Sequence, residues 1–134
     1  MNIESFMPHR GKMKLIEDIV EVDKDHCLAR ATPTPDWPLY SPDGISAIII
    51  IELIAQTTSA FVGWRRRHEG PLGGAGFLVG IQKAELHTRY LPVDTPVFIS
   101  CTRSLDMDNY GVFDGRVQTD ELVCGTASIQ VYNP

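Results

Sequence analysis

The sequence predicts an α+β fold in which a curved antiparallel sheet wraps around one long, central apolar helix. Three observations predict it. Residues 45–55 are almost all apolar, and the pattern runs on to Arg65, Arg66 and Arg67 without a turn signal, too long for a strand. Short β-branched runs flank it, two before and four after, each bounded by turn residues. A helix apolar all round is normally buried on every side, and one helix cannot cover both faces of a large sheet, so the sheet has to curve about it. The sheet's other face, or its edge, is then open to pairing with a second copy.

Taken in order, Met7-Pro8-His9-Arg10-Gly11 punctuates an opening loop. Residues 14–23 carry Leu15, Ile19, Val20 and Val22 among charged positions and read as the first strand. A turn at Asp23-Lys24-Asp25 leads to a second strand over 26–34, antiparallel to the first. Pro33, Pro35, Pro38 and Pro42 then enforce an extended, irregular connection. The helix follows with Asp43 as its N-cap. Four consecutive isoleucines are poor helix formers. The length of the run decides for helix, together with three arginines at the end where cations suit the dipole. The glycines of 70–76 end it. Strands are expected over 77–87, 97–105, 111–118 and 122–132, with a loop over 91–96 and turns near 106–109 and 119–121. Gly80, inside the first of these, marks a bulge or a close backbone approach. Residues 1–134 read as a single domain, without internal repeats.

A chain of 134 residues can enclose one core. Its net charge of −5 argues against non-specific nucleic-acid binding. Cys27, Cys101 and Cys124 are far apart and odd in number; no spacing suggests zinc, a disulfide framework is not expected, and a reducing cytoplasm fits. No basic stretch followed by an apolar run opens the chain, so no signal peptide is expected. The isoleucine-rich run is too short to span a bilayer and is broken by Glu52, so no membrane partner is expected.

Glu52 is the anomaly. A carboxylate in the most apolar part of the chain costs on the order of several kcal/mol unless it is paired or neutralised. Gln56, four residues on, shares its helical face. Burial of a carboxylate favours its protonated form, which suits it to donate or shuttle a proton. The other reading is a hydrogen-bonded core carboxylate that closes a dimer interface.

Four segments carry a resemblance. They are Met7-Pro8-His9-Arg10 with Met13-Lys14-Leu15-Ile16-Glu17-Asp18 and Val20-Glu21-Val22-Asp23; Ile51-Glu52-Leu53-Ile54-Ala55-Gln56; Phe77-Leu78-Val79-Gly80-Ile81-Gln82-Lys83-Ala84; and Leu91-Pro92-Val93-Asp94. In this order they resemble the hotdog-fold bacterial 3-hydroxyacyl-(acyl-carrier-protein) dehydratases of fatty acid synthesis, and their relatives in polyketide and aryl-polyene pathways, over nearly the whole chain. There is one departure. That family's catalytic histidine lies in a Gly-His-Phe-Pro element just before the helix. Here residues 36–44 read Asp36-Trp37-Pro38-Leu39-Tyr40-Ser41-Pro42-Asp43-Gly44, and no histidine occurs between His26 and His68.

The resemblance implies dehydration of a 3-hydroxyacyl thioester, on acyl carrier protein or coenzyme A, to the trans-2-enoyl thioester. It implies a homodimer, or an oligomer of dimers, with two equivalent sites at the interface and no metal or redox cofactor. A hotdog thioesterase, with Glu52 activating water, is one alternative; a non-catalytic acyl-binding or dimerisation subunit is another. In the dehydratase reading Glu52 is the catalytic carboxylate. His9, in a loop able to reach the helix, is its base or orienter, or else a loop residue satisfying backbone groups. His26 and His68 are expected in solvent, and His87 could face either way. Gln56 orients the carboxylate or a water, or makes a helix–helix hydrogen bond at a dimer contact. The Gly80 N–H serves the oxyanion, because glycine permits close approach, and a helix N-terminus near Gly44 to Ser46 adds its dipole. Tyr40, with Trp37 and Leu39, lines an acyl tunnel or packs the loop. Arg65, Arg66 and Arg67 steer an acidic carrier protein, or only complement the helix dipole.

Overall fold

The computed structural model describes residues 14–68, 77–107 and 110–132. Alternating apolar and polar positions set the main sheet. Its strands are β1 (Asp18–Val22), β2 (His26–Ala31), β5 (Phe77–Leu86), β7 (Val97–Met107), β8 (Tyr110–Gln118) and β9 (Val123–Tyr132). They lie in the order β1-β2-β7-β8-β9-β5, every neighbour antiparallel. Between the two halves come β3 (Tyr40–Ser41), β4 (Gly44–Ser46), the helix α1 (Ile49–His68) and, after β5, β6 (Tyr90–Leu91).

The expected architecture is present, with two corrections. Asp43 does not cap the helix. It sits in the turn between β3 and β4, where its N–H donates to Ser41 Oγ at 3.3 Å. Ile45 and Ser46 join a small three-stranded sheet, β3-β4-β6, which the sequence reading did not foresee. The reason is local: β-branched Ile45 favours extended backbone and is paired on both sides, with Tyr40 and with Leu91. The helix begins five residues later than Gly44, where the Ile50 N–H bonds to Ala47 O at 3.0 Å. Gly44 itself is irreplaceable in shape. Its φ is +125°, and a Cβ there would stand 2.6 Å from Leu91 O. The second correction concerns ends. β1 is shorter than expected, β2 stops at Ala31 ahead of Pro33, and the 91–96 loop opens with strand residue Leu91.

α1 lies on one face of the main sheet. Ile50, Leu53, Ile54, Thr57, Thr58 and Phe61, spaced by turns of three and four, are all fully buried. Such wide residues need room beneath them. The sheet supplies it with a cross-strand row of small residues, Cys27, Cys101, Gly115 and Ala127, directly opposed in register. Gly115 receives the Ile54 side chain, and Gly125 receives Ile50. Thr57 and Thr58 satisfy their hydroxyls on the Leu53 and Ile54 carbonyls, at 2.9 and 2.8 Å. Phe61 closes the layer edge-on against Phe113, with centroids 5.7 Å apart. The helix is not buried on every side. Ile51, Glu52, Ala55, Ser59 and Val62 are half-exposed, and Ile48, just before it, is 60% exposed.

Gly115→Ala is expected to lower stability by about 1–3 kcal/mol through overpacking. Adding Ile54→Leu, which removes the Cγ2 methyl that the new Cβ would meet, is expected to return part of that loss, measured as paired urea unfolding midpoints.

Candidate active site

Glu52 lies in the first turn of α1, where the unpaired N–H groups and the helix dipole favour an anion. Its Oε1 accepts a hydrogen bond from Gln56 Nε2 at 3.0 Å. Gln56, fully buried, accepts in turn from the Leu15 N–H at 3.0 Å. The cost of placing a carboxylate in this apolar run is thus offset by a charge-assisted donor and by its place at the helix start. Sequence reasoning paired Glu52 with Gln56 but missed Leu15. The available signal was the adjacent apolar pair Leu15-Ile16, which breaks strand alternation and marks a segment buried on both sides.

The other expected site residues are scattered. His9 lies outside the described residues. His26 stands on the sheet face away from the helix, opposite Thr102, while its neighbour Cys27 points inward. His87 is exposed and lies 3.6 Å from Glu85, whose carboxyl the Lys83 hydrogen bond holds below its usual range. Gly80 sits in β5 at a register shift between Leu78 and Gly80, opposite Gln130, so a bulge is present. Gly44 is buried in β4 rather than at the helix start. Tyr40, in β3, is 46% exposed, and Trp37 packs against the core. Arg65 stacks over the Phe61 ring, 6.0 Å from its centroid, while Arg66 is half-buried and Arg67 exposed.

Comparison with known proteins follows from this geometry. A family model described as ApeP-like, ApeP dehydratase, matches residues 1–134. The chain belongs to the ApeP-like dehydratase family. Membership assigns it to a group of hotdog-fold dehydratases, whose reaction class is the dehydration of hydroxyacyl thioesters. It is 23% identical over 132 residues to the 3-hydroxyacyl-(acyl-carrier-protein) dehydratase FabZ of Streptococcus pyogenes serotype M5, covering 95% of this chain and 92% of that one. It is 26% identical over 133 residues to the FabZ of Streptococcus uberis, covering 96% and 92%. Its fold matches the dehydratase heterocomplex ApeI:P from Xenorhabdus doucetiae with a TM-score of 0.86 at 22% identity, covering 100% of this chain and 91% of that one.

Among the described residues no group of three His, Cys, Asp or Glu side chains is placed to hold a metal, and no helix is long and apolar enough to cross a membrane. Burial holds the thiols away from the thiolate form. Burial, with Cys101 as neighbour, pushes Cys27 up to about 12, and burial pushes Cys101 up to about 12. Burial also raises Cys124. Reactivity needs the thiolate.

Iodoacetamide at about pH 8 is expected to leave Cys27 and Cys101 unlabelled in native protein and to label them in concentrated urea, read by mass spectrometry. The folded thiols keep protons that the unfolded chain releases first. Stability from this source is therefore intact below the ordinary value of 9.0 and is lost as pH climbs towards about 12.

Proposed function

We propose that this chain removes water from a 3-hydroxyacyl chain held as a thioester on an acyl carrier protein, giving the trans-2-enoyl thioester. The observation that carries the reading is Glu52: a half-exposed carboxylate in an isoleucine-rich helix, held by a buried amide. The reaction removes a proton from C2, breaks the C3–O bond and releases the hydroxyl as water once it is protonated. It needs a base, an acid and donors for the thioester oxygen. In this reading Glu52 moves the proton to or from the substrate, and His9 is the second acid–base group. Gln56 binds the Leu15 N–H, and His9 lies six residues before Leu15, so the chain that bears the imidazole enters the fold beside the carboxylate's own hydrogen-bond partner.

Gly80 supplies the oxyanion N–H in this proposal. β5 has only β9 as neighbour among the described strands, and an edge strand leaves alternate N–H groups open. The segment before β1 holds Gln56, whereas β5 is the opposite edge of the sheet. A site using both Glu52 and Gly80 is therefore best completed by two chains, which favours a dimer with two equivalent sites. Tyr40, which is exposed, lines the acyl entrance in this proposal, and Arg67, exposed at the basic helix end, meets the acidic carrier.

A second reading is that the chain is one subunit of a pair with a homologous dehydratase. Two observations favour it: residues 36–44 contain no histidine, and the similar ApeI:P structure is a heterocomplex.

Incubation with 3-hydroxybutyryl and trans-2-butenoyl carrier protein is expected to interconvert the two, followed by mass spectrometry. Glu52→Gln and His9→Ala are each expected to slow turnover by about a hundredfold or more. Release of free carrier thiol would mean a thioesterase. Turnover that arises only when a homologous dehydratase is added would establish the second reading. Reversing Arg66 and Arg67 to Glu is expected to raise KM for the carrier-bound substrate with little change in kcat, an effect that weakens as salt is added.

A further inference from the structure

Gln56 spans two groups that are far apart in sequence. Its Oε1 accepts from the Leu15 N–H and its Nε2 donates to Glu52 Oε1, both at 3.0 Å. A backbone N–H can only donate, so it dictates which end of the amide faces it. Turned over, the amide would set its NH2 against that N–H and its carbonyl against the carboxylate oxygen. Donor would meet donor and acceptor would meet acceptor in a fully buried side chain, an expensive arrangement. Leu15 cannot shift to relieve it. Its side chain and that of Ile16 belong to the core, and the Glu17 N–H is tied to Arg30 O at 2.9 Å.

We infer that Gln56 is a positioning residue whose amide orientation is set by the chain entering β1, so that this segment, and not α1 alone, holds the Glu52 carboxylate in place. Glutamine is the side chain that fits: asparagine is one methylene too short to bridge both groups, and glutamate could donate to Glu52 only by taking up a proton. The effect on turnover rests on Glu52 being the reacting carboxylate proposed above; the hydrogen-bonded geometry does not.

Two variants separate the arms. Gln56→Glu keeps an acceptor for the Leu15 N–H and replaces the fixed amide donor to Glu52 with a proton the two carboxyl groups must share, while Gln56→Met keeps the length and loses both. By NMR, Leu15 amide exchange is expected to stay within about threefold of native in Gln56→Glu and to quicken by about tenfold or more in Gln56→Met, with the Ile99 amide unchanged in both. Both variants are expected to lose about tenfold or more in kcat with KM within about twofold. Native kcat in Gln56→Met overturns the inference. A third measurement needs neither variant to fold and no turnover. The Gln56 side-chain NH2 signals are expected as one set in native protein and are expected to shift on Glu52→Ala, while the Leu15 amide holds its protection. Unmoved NH2 signals overturn the inference. A shift of those signals in a protein without dehydratase turnover supports it, and overturns the proposed function instead.

Discussion

The rest of this structure depends on how closely α1 can approach the sheet. Isoleucine side chains are wide at Cβ and stiff about χ1, so a helix presenting Ile50 and Ile54 cannot settle on an ordinary strand surface. The sheet meets them with a furrow of small residues, Cys27, Cys101, Gly115 and Ala127, across β2, β7, β8 and β9, with room for Ile54 at Gly115 and, one inward-facing row on, for Ile50 at Gly125. Side chain and furrow together fix the rotation of the helix about its axis. A slip of one residue, about 100°, would lift Ile54 out of its slot and drive polar groups against the sheet. Because that rotation is fixed, Glu52 and Ala55 emerge on the far side at a defined height.

The polar residues of α1 divide by what they bind. Thr57 turns back on its own helix, to Leu53, and Thr58 bonds Ile54 O while its hydroxyl also lies 3.5 Å from Cys101 Sγ on the sheet beneath. Gln56 reaches outwards. It is the buried side chain through which the helix is hydrogen-bonded to the segment ahead of β1, and it also reaches Glu52. Buried polar groups of this kind are high-stakes, since a half-satisfied one costs more than an apolar replacement. Such a bridge adds directional specificity to a contact that apolar packing leaves tolerant of small slides.

Much of the fold was legible in the chain. Apolar and β-branched runs bounded by turn residues located β2, β7, β8 and β9 to within a few residues, and each of these strands alternates between buried and less buried positions or pairs in register across the sheet. The long apolar run located α1. Its start was misread because propensity near Gly44 is decided by pairing: Ile45 becomes strand only when Tyr40 and Leu91 lie beside it, and Leu91 is 46 residues away in sequence. Asp43 looks like a cap in one dimension and is a turn residue in three. At the site, the Glu52–Gln56 pair followed from helical spacing alone. The Leu15-Ile16 pair marks a buried segment, but which N–H of it meets Gln56 is selected by tertiary packing, since every residue but proline carries one. The placing of His26 came from register: Cys27 faces in, so its neighbour faces out.

Ile54 and Ile50 fill the room above Gly115 and Gly125, so the face of α1 that builds the core is separate from the face that carries Glu52. The two faces answer to different selective pressures. Residues such as Ile51 and Ser59, partly exposed on the outer side, can change in size without reopening the layer beneath. Those in the furrow can only change in compensating pairs. A lineage of such chains could therefore diversify what lies along the outer face of one helix while inheriting its scaffold almost unaltered.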